Sequence, residues 1–377
     1  MNIPLTKPYW GKKEERAAVE ALKSSNGTGS GPYNHKLAKK LSKLTKAKFA
    51  ISTTSCSHGM ELAVSALGAG VGDEVIVPSF TMTSTANAVL ASGATPVFAD
   101  IDPTYYNIDP VDIQRKITKK TRGIMIVHYA GMACQMEKIL RIAKKYKLWV
   151  VEDAAHAIGA TYKGKALGLW GDVGVFSFHG TKNVSCGEGG AVITNSKAVS
   201  NKMEVVRANG TNRKAFLDGV IEKYSWIEKG SSYYLSDILA SILISQIDQI
   251  RTINKQRNRI ATLYTNKLSK YSKIVQLPLI PKGTVPNWHI YAIKFNNSLD
   301  KGVFTSFMKK KGIEALTHYV PLHTSPMGKR LSGGKSAKLA ITENVGGSLV
   351  RLPIYPGLTA RELDYIVKSA CIILERL

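Results

Sequence analysis

The amino-acid sequence predicts an α/β protein whose large domain has a mostly parallel central sheet and is followed by a smaller α+β domain. Between residue 48 and about residue 196, short apolar runs alternate with amphipathic stretches, as expected of βα units around a buried sheet. After the proline-rich LPLIPKGTVP, an alternating HIYAIKF and two helical patterns indicate the α+β part. A chain of 377 residues, 44% of them hydrophobic, exceeds one ordinary core and can bury two.

Seven short, mostly aliphatic runs are the candidate strands of the central sheet. They are Phe49–Ser52, Glu74–Pro78, Pro96–Ile101, Gly123–His128, Leu148–Glu152, Gly174–Phe178 and Gly190–Thr194. Helical spacing lies between them, as in MEKILRIAKKYKL. The alternation therefore predicts strands that are covered by helices.

A long helical pattern follows the sheet region. Residues 235–271 keep helical apolar spacing without proline or glycine, which predicts one long connecting helix. We therefore assign residues 1–245 to the large domain, together with an N-terminal segment. Residues 246–377 are expected to form the connecting helix and the small domain.

The chain is strongly basic, with 52 basic and 27 acidic residues and a net charge of +25. Nucleic acid, an anionic membrane surface or anionic substrates could each account for this excess. The lysines within residues 36–48, 144–147 and 309–311 fall on helical patterns, which favours solvated helix faces. No zinc finger or aromatic RNA-binding signature accompanies them. We expect no nucleic-acid partner, and a regulatory or nucleic-acid-binding protein is the more distant alternative.

The cysteines and the first residues bear on location. Cys56, Cys134, Cys186 and Cys371 lie far apart and form no CxxC pair, so we expect free thiols and no metal site. The start, MNIPLTKPYWGKK, lacks the apolar run of a secretory signal. No stretch approaches the roughly 18 apolar residues of a membrane span. We therefore expect a cytoplasmic protein without a membrane partner.

The segment ISTTSCSHGMELAVSAL predicts an anion site. A strand ends there in small hydroxyl residues, and a helix begins near Ser57. Backbone N–H groups at a helix N-terminus carry partial positive charge, and Ser55 and Ser57 can add hydroxyl donors, so a phosphate could bind. Serine is also the ordinary N-cap of a helix, and this alternative stays open.

The segment WVVEDAAHAIG brings Glu152 and Asp153 to the C-terminal end of a buried strand. Ligands of open α/β sheets bind at such ends. A carboxylate there could pair with a pyridinium nitrogen and let the ring act as an electron sink. A helix cap is the equal alternative for Asp153.

The segment GDVGVFSFHGTKNVSCGEGG ends a strand in Ser177, His179 and Lys182. The glycine-rich stretch Gly187–Gly190 lets the chain pass close to a bound ligand, and a partly desolvated lysine is the nucleophile that an imine requires. A lone lysine is more often a surface residue. The ordered combination of phosphate turn, acid at a strand end and lysine favours the catalytic interpretation.

The strings VPSFT, VEDAAHA and FSFHGTKN followed by GEGG resemble the DegT/DnrJ/EryC/StrS family of sugar aminotransferases, from Pro8 to the C-terminal helix. The resemblance implies the pyridoxal-phosphate-dependent transferase fold of the aspartate aminotransferase type, fold type I, and a homodimer. Longer strings, VHYAGMACQM, GTNR, KYSWIEKGSSYYLSD and HYVPLH, are similar to the branch that aminates dTDP-linked 4-keto-6-deoxyhexoses for surface polysaccharides.

The resemblance implies a pyridoxal 5'-phosphate site that seven residues form. They are Cys56, Ser57, Phe80, Asp153, His156, Ser177 and Lys182. Lys182 would bind the cofactor as a Schiff base and move protons, and Asp153 would hold the pyridine nitrogen. His156 would lie beside the ring oxygen, and Phe80 would stack on the ring. Cys56, Ser57 and Ser177 would lie at the phosphate.

The implied reaction moves an amino group from L-glutamate to a nucleotide-linked 4-keto-6-deoxyhexose in two half-reactions. A 3-keto-sugar nucleotide aminotransferase is the nearest alternative. A sugar dehydratase of the same fold has histidine in the position of Lys182, so the lysine argues against it. The chain departs from the family in one segment, where GSSYYLSD, with Ser232 and Tyr234, replaces a GYNYR-like sequence.

Overall fold

The computed structural model describes residues 1–25, 27–333 and 337–377. The helices are α1 (Lys12–Ser24), α2 (Pro32–Thr45), α3 (Cys56–Ala66), α4 (Thr83–Ala91), α5 (Pro110–Lys116), α6 (Met136–Tyr146), α7 (Lys197–Arg207), α8 (Arg213–Leu217), α9 (Asp237–Asp248), α10 (Ile250–Leu268), α11 (Ser298–Lys310), α12 (Pro326–Leu331), α13 (Ala340–Ser348) and α14 (Ala360–Leu374). Short 3₁₀ helices span Tyr129–Gly131, Ser269–Tyr271 and Leu322–Thr324.

Within these described ranges, the strands form one large sheet and two small ones. They are β1 (Phe49–Thr53), β2 (Glu74–Pro78), β3 (Thr95–Ala99), β4 (Thr121–Val127), β5 (Trp149–Asp153), β6 (Thr161–Tyr162), β7 (Lys165–Ala166), β8 (Val173–Ser177), β9 (Gly190–Thr194), β10 (Val275–Gln276), β11 (Thr284–Val285), β12 (Tyr291–Phe295) and β13 (Leu349–Leu352). The large sheet has the order β1-β9-β8-β5-β4-β2-β3.

The large sheet confirms the predicted mostly parallel α/β architecture. All seven predicted strands are present, with ends within two residues of the prediction. Strands β8, β5, β4, β2 and β3 pair in parallel, and β9 runs antiparallel to β1 and β8 on either side. The C-terminal ends of β1, β5 and β8 therefore meet the start of β9 at one edge of the sheet.

Gly190 allows helix α3 to approach this edge closely. In the pairing register Gly190 lies opposite both Thr53 and Ser177. A Cβ atom at Gly190 would lie 2.3 Å from the carbonyl group of Ser55 and 2.5 Å from the backbone nitrogen of Cys56. Only glycine therefore fits between β9 and the first turn of α3.

The expectation of one connecting helix over residues 235–271 is wrong. Two helices, α9 and α10, meet at Gln249, where the first ends. The Gln249 side chain donates to the Ser245 carbonyl at 3.3 Å and to the Glu14 carboxylate at 2.8 Å. A side chain that bonds a helical carbonyl competes with the backbone ladder, which explains a break without proline or glycine.

The C-terminal part is built on the sheet β10-β12-β13. Its buried side chains form a cluster that includes Phe295, Phe304 and Ile366. The start of the chain packs on this part, since Ile3 bridges Ile313 and Leu5 accepts a hydrogen bond from the backbone of Ile354. Helices α1 and α2 of the N-terminal segment pack on α9, so this segment contacts both parts. We propose that the two parts are the two domains, with their boundary near residue 245.

The surface lysines lie as the patterns predicted. The lysines of the runs 144–147 and 309–311 are exposed, as are most of those in 36–48. The four cysteines are free thiols, and three of them are buried. Over the residues that the structure describes, none of the helices is both long and apolar enough to span a membrane.

Candidate functional site

A cavity of about 510 Å³ opens at the edge of the large sheet where α3 begins. Both parts of the fold contribute to its wall. Six of the seven predicted cofactor residues line it. They are Cys56, Ser57, Asp153, His156, Ser177 and Lys182. Residues that are far apart in sequence therefore share one concave site at the expected end of the strands.

Phe80 lies behind the cavity wall. Its side chain is 1% exposed, and its ring centroid is 5.2 Å from that of Tyr129 and 5.6 Å from that of Tyr319. Tyr319 meets it edge-on and itself lines the cavity. The stacking of Phe80 on a cofactor ring therefore stays a prediction.

The anion-binding end of the cavity is the first turn of α3. Ser55 is the N-cap, and its Oγ accepts a hydrogen bond from the His58 backbone at 3.1 Å. Ser55 therefore serves the helix, which agrees with the alternative left open by the sequence. The N–H groups of Cys56 and Ser57 belong to the first helical turn and have no intrahelical partner. Cys56, Ser57 and Ser177 all line the cavity. The Ser57 hydroxyl donates to Ser84 Oγ at 2.8 Å.

Glu152 and Asp153 are adjacent on β5 and have different surroundings. Glu152 is fully buried, and its carboxylate accepts hydrogen bonds from His128 and from the backbone between residues 168 and 171. Successive residues of a strand point to opposite faces. Glu152 is thereby a structural carboxylate, whereas Asp153 reaches the cavity.

Asp153 is a buried carboxylate with two neutral hydrogen-bond donors. Thr85 Oγ1 donates to its Oδ2 at 3.0 Å, and the Ala155 backbone donates to its Oδ1 at 3.1 Å. Burial raises the pKa of Asp153, and these two hydrogen bonds and the charge of Lys182 act in the opposite direction. A cationic group in the cavity would therefore stabilise the ionised carboxylate.

Lys182 lies in the turn between β8 and β9, with its backbone N–H on the His179 carbonyl at 2.9 Å. Its side chain lines the cavity. Desolvation lowers the pKa of Lys182, while the neighbouring Cys56 and Asp153 raise it in part. The lysine is therefore a cavity residue whose amine is more readily uncharged than that of a surface lysine.

His156 is held as a neutral ring. Its Nδ1 lies 3.3 Å from the Ala130 backbone N–H, and its Nε2 lies 3.3 Å from Tyr319 Oη. Burial lowers the pKa of His156 well below the ordinary value. The ring therefore carries one proton at neutral pH and offers one donor nitrogen.

The C-terminal part supplies cavity residues that sequence reasoning missed. They are His289, His318, Tyr319 and Arg351. From the sequence, HIYAIKF predicts only a strand, and HYVPLH contributes only to the family resemblance. Neither string contains a motif that predicts a contact with Lys182, which lies more than 100 residues earlier in the sequence.

Arg351 brings a positive charge into the cavity. Its Nε and Nη2 both donate to the Thr317 carbonyl, at 3.3 and 3.0 Å. Within residues 1–25, 27–333 and 337–377, no carboxylate forms an ion pair with Arg351. Desolvation lowers the pKa of its guanidinium, so the arrangement favours an anionic ligand.

Comparisons with known proteins agree with this site. The profile of the DegT/DnrJ/EryC1/StrS aminotransferase family matches residues 9–370. The spore coat polysaccharide biosynthesis protein SpsC of Bacillus subtilis strain 168 is 31% identical over 381 residues, covering 97% of this chain and 96% of SpsC.

Solved structures agree over the whole chain. The PLP-form of the putative sugar aminotransferase Spr1654 from Streptococcus pneumoniae is similar with a TM-score of 0.92 at 25% identity, covering 100% of this chain and 99% of that one. Helicobacter pylori PseC, an aminotransferase involved in the biosynthesis of pseudoaminic acid, has a TM-score of 0.92 at 25% identity, with 100% of both chains covered. The predicted fold class, fold type I, is confirmed.

Proposed function

Since this chain belongs to the DegT/DnrJ/EryC1/StrS aminotransferase family, we propose that it moves an amino group from L-glutamate to a nucleotide-linked 4-keto-6-deoxyhexose. That it is a pyridoxal-phosphate-dependent sugar aminotransferase follows from the family and from its neighbours, which include PLP and PMP forms. The donor, the sugar and the residue roles are our proposal. The observation that carries it is the meeting of Lys182, Asp153 and the start of α3 in one cavity.

The residues present fit the cofactor. Because Gly190 has no side chain, β9 can lie close to the first turn of α3. There, the backbone N–H groups and the Ser57 and Ser177 hydroxyls would hold the phosphate. Asp153 would pair with the pyridine nitrogen, and His156 would donate its proton to the ring oxygen. When bound, pyridoxal phosphate supplies an aldehyde carbon that takes up and returns the amino group, and a ring that withdraws electrons.

Lys182 is the proposed proton carrier. Desolvation lowers the pKa of its amine, so the neutral form that can accept a proton is more accessible. The amine would take a proton from the amino-acid carbon and later return one to the sugar carbon. The Asp153 carboxylate lines the same cavity and would keep the pyridine nitrogen protonated. These two residues are therefore the proposed catalytic pair.

Arg351 supports an anionic amino donor. Its guanidinium has no ion-pair partner among the described residues. A guanidinium can bind a carboxylate through two parallel hydrogen bonds. L-Glutamate carries two such groups. The similarity to SpsC and PseC supports a sugar acceptor, because SpsC is a spore coat polysaccharide biosynthesis protein and PseC takes part in the biosynthesis of pseudoaminic acid.

The 4-keto position and the dTDP carrier rest on the resemblance of the strings VHYAGMACQM and HYVPLH to dTDP-4-amino-4,6-dideoxygalactose transaminase. We place the product in surface-polysaccharide biosynthesis, which includes lipopolysaccharide. A cytoplasmic location is part of this proposal, because nucleotide sugars are made there.

We also propose a homodimer. Six large apolar side chains between residues 216 and 227 are exposed, and Trp226 is 78% exposed. They are Phe216, Leu217, Val220, Tyr224, Trp226 and Ile227. An exposed apolar surface of this kind is typical of an interface. Light scattering should give twice the chain mass, and a Trp226→Glu variant should shift toward the monomer. A monomeric wild type at micromolar concentration would contradict the dimer.

The proposed function is tested with the visible absorbance of the purified protein after addition of pyridoxal phosphate. L-Glutamate should bleach the band of the lysine-bound cofactor, and dTDP-4-keto-6-deoxyglucose should restore it. Lys182→Ala should show no such band, whereas Lys202→Ala, at an exposed position, should behave as wild type. NMR of the product separates amination at C4 from amination at C3. A band that glutamate does not change would refute the donor.

A further inference from the structure

Two histidines from distant parts of the fold meet in the cavity. The ring centroids of His156 and His289 are 4.4 Å apart, with the planes inclined by 37°. Burial lowers the pKa of both rings well below the ordinary histidine value. Each ring is therefore neutral at neutral pH, with one donor nitrogen and one acceptor nitrogen.

A backbone amide determines the tautomer of His156. The Ala130 N–H can only donate, so the Nδ1 atom 3.3 Å away is the acceptor. The proton of the ring then lies on Nε2, which faces Tyr319 Oη at 3.3 Å. His156 thus presents a donor.

His289 has the opposite tautomer. Asn183 Nδ2 donates at 2.8 Å to the Asn287 carbonyl, which can only accept, and this orients the Asn183 amide. Asn183 Oδ1 then accepts from His289 Nδ1 at 3.0 Å. The lone pair of His289 is left on Nε2, and no described residue donates a hydrogen bond to it. The ring lines the cavity and is half-buried, so Nε2 is available to a ligand.

Several contacts hold His289 in place, next to a residue with an unfavourable backbone conformation. Trp288 has φ +49°, a left-handed conformation that is unfavourable for a bulky residue. The buried Arg257 donates through Nη1 to the carbonyls of Trp288 and His289, at 3.1 and 3.2 Å. Asn258 accepts from Trp288 Nε1 at 2.9 Å. Strained conformations that several contacts maintain are concentrated at functional sites.

We infer that His289 is a specificity-determining residue, whose Nε2 accepts a hydrogen bond from a sugar hydroxyl next to the carbon that receives the amine. The inference rests on the proposed function. Carbonyl and carboxylate oxygens only accept hydrogen bonds, so Nε2 discriminates in favour of a hydroxyl-bearing substrate.

The tautomers can be measured without cofactor or substrate. Long-range ¹H–¹⁵N NMR at pH 7, with the rings assigned through His156→Gln and His289→Gln, should show Nε2 protonated in His156 and Nδ1 protonated in His289. If His289 carries its proton on Nε2, or is doubly protonated, the lone pair does not exist and the inference is overturned. This result is independent of the aminotransferase reaction.

The second test uses the sugar half-reaction. Wild type should prefer dTDP-4-keto-6-deoxyglucose over its 3-deoxy analogue by about 10-fold, the worth of one hydrogen bond. His289→Phe should lose this preference, and His289→Gln, which keeps an acceptor, should retain part of it. In His289→Phe the sugar half-reaction with the hydroxyl-bearing substrate should fall more than the glutamate half-reaction.

The outcomes separate two failures. An unchanged preference in His289→Phe, or an equal fall of both half-reactions, overturns the role of His289. A wild type that reacts with glutamate but not with the sugar refutes the proposed acceptor instead, and the NMR measurement then decides whether Nε2 is an acceptor. Thermal unfolding of His289→Phe checks that the variant is folded.

Discussion

Replacing Glu152 by glutamine should destabilise the protein strongly, although the two side chains have nearly the same shape. The Glu152 carboxylate is 0% exposed. Its Oε2 accepts from His128 Nε2 at 2.7 Å and from the Gly168 backbone at 2.8 Å, and its Oε1 accepts from the backbones of Trp170 and Gly171. Four donors therefore converge on two oxygens.

Glutamine has one oxygen and cannot satisfy both pairs. Turned one way, its amide group faces two backbone N–H groups. Turned the other way, it faces the Gly168 N–H and His128 Nε2, which carries its proton because His128 Nδ1 accepts from the Cys134 backbone at 3.2 Å. Either orientation leaves two buried donors unpaired. At about 1 to 3 kcal/mol each, the free energy of unfolding should fall by about 4 kcal/mol.

The assay is thermal unfolding of the cofactor-free protein, followed by circular dichroism. For a chain of 377 residues, a loss of that size corresponds to a fall in Tm of roughly 5 °C. Glu20→Gln, at an exposed position on α1, serves as the matched control and should unfold within about 1 °C of wild type. A Tm of Glu152→Gln within 2 °C of wild type would refute the argument that the donor count determines the loss.

Three further variants test the cavity. In Asp153→Asn, the amide oxygen can accept from the Ala155 backbone, and the amide nitrogen can donate to the Thr85 hydroxyl, which also accepts. Its Tm should therefore change little, while the glutamate half-reaction slows by about 10² to 10³ in stopped-flow absorbance. The Asp153 charge raises the pKa of Lys182, so the pKa of Lys182 should be lower in this variant. The rate of Lys182 arylation should then reach its half-maximum at a lower pH than in wild type. A shift to higher pH would contradict the proposed interaction. Gly190→Ala should weaken pyridoxal phosphate binding in calorimetry, since its Cβ would meet Ser55 at 2.3 Å. Arg351→Gln should raise KM for L-glutamate by about 10- to 100-fold and leave KM for the sugar nearly unchanged.

Much of the site could be predicted because its signals are local. Each strand of the large sheet is an apolar run with turn residues at its ends, so its position follows from the pattern alone. Asp153 is the last residue of β5, and Lys182 and the start of α3 follow β8 and β1 within five residues. Parallel strands bring their C-terminal ends to one edge. The order of the motifs was therefore enough to place them together.

Contacts between distant residues decided the rest. Arg351 and His289 enter the cavity only because the C-terminal sheet packs beside the large one, and no spacing in the sequence reports that contact. At the break, the Gln249 side chain also donates to Glu14, more than 200 residues away, and no spacing in the sequence reports that contact. The position of Phe80 behind Tyr319 is likewise a matter of packing.

The sequence by itself determined the fold class, the family and the residues that end the strands, because periodicity and short motifs are properties of neighbouring residues. Only the tertiary structure decided which of the adjacent acids Glu152 and Asp153 reaches the cavity, since this depends on what covers each face of β5. It also decided the tautomers of His156 and His289, because a ring proton goes to the nitrogen whose neighbour can accept it.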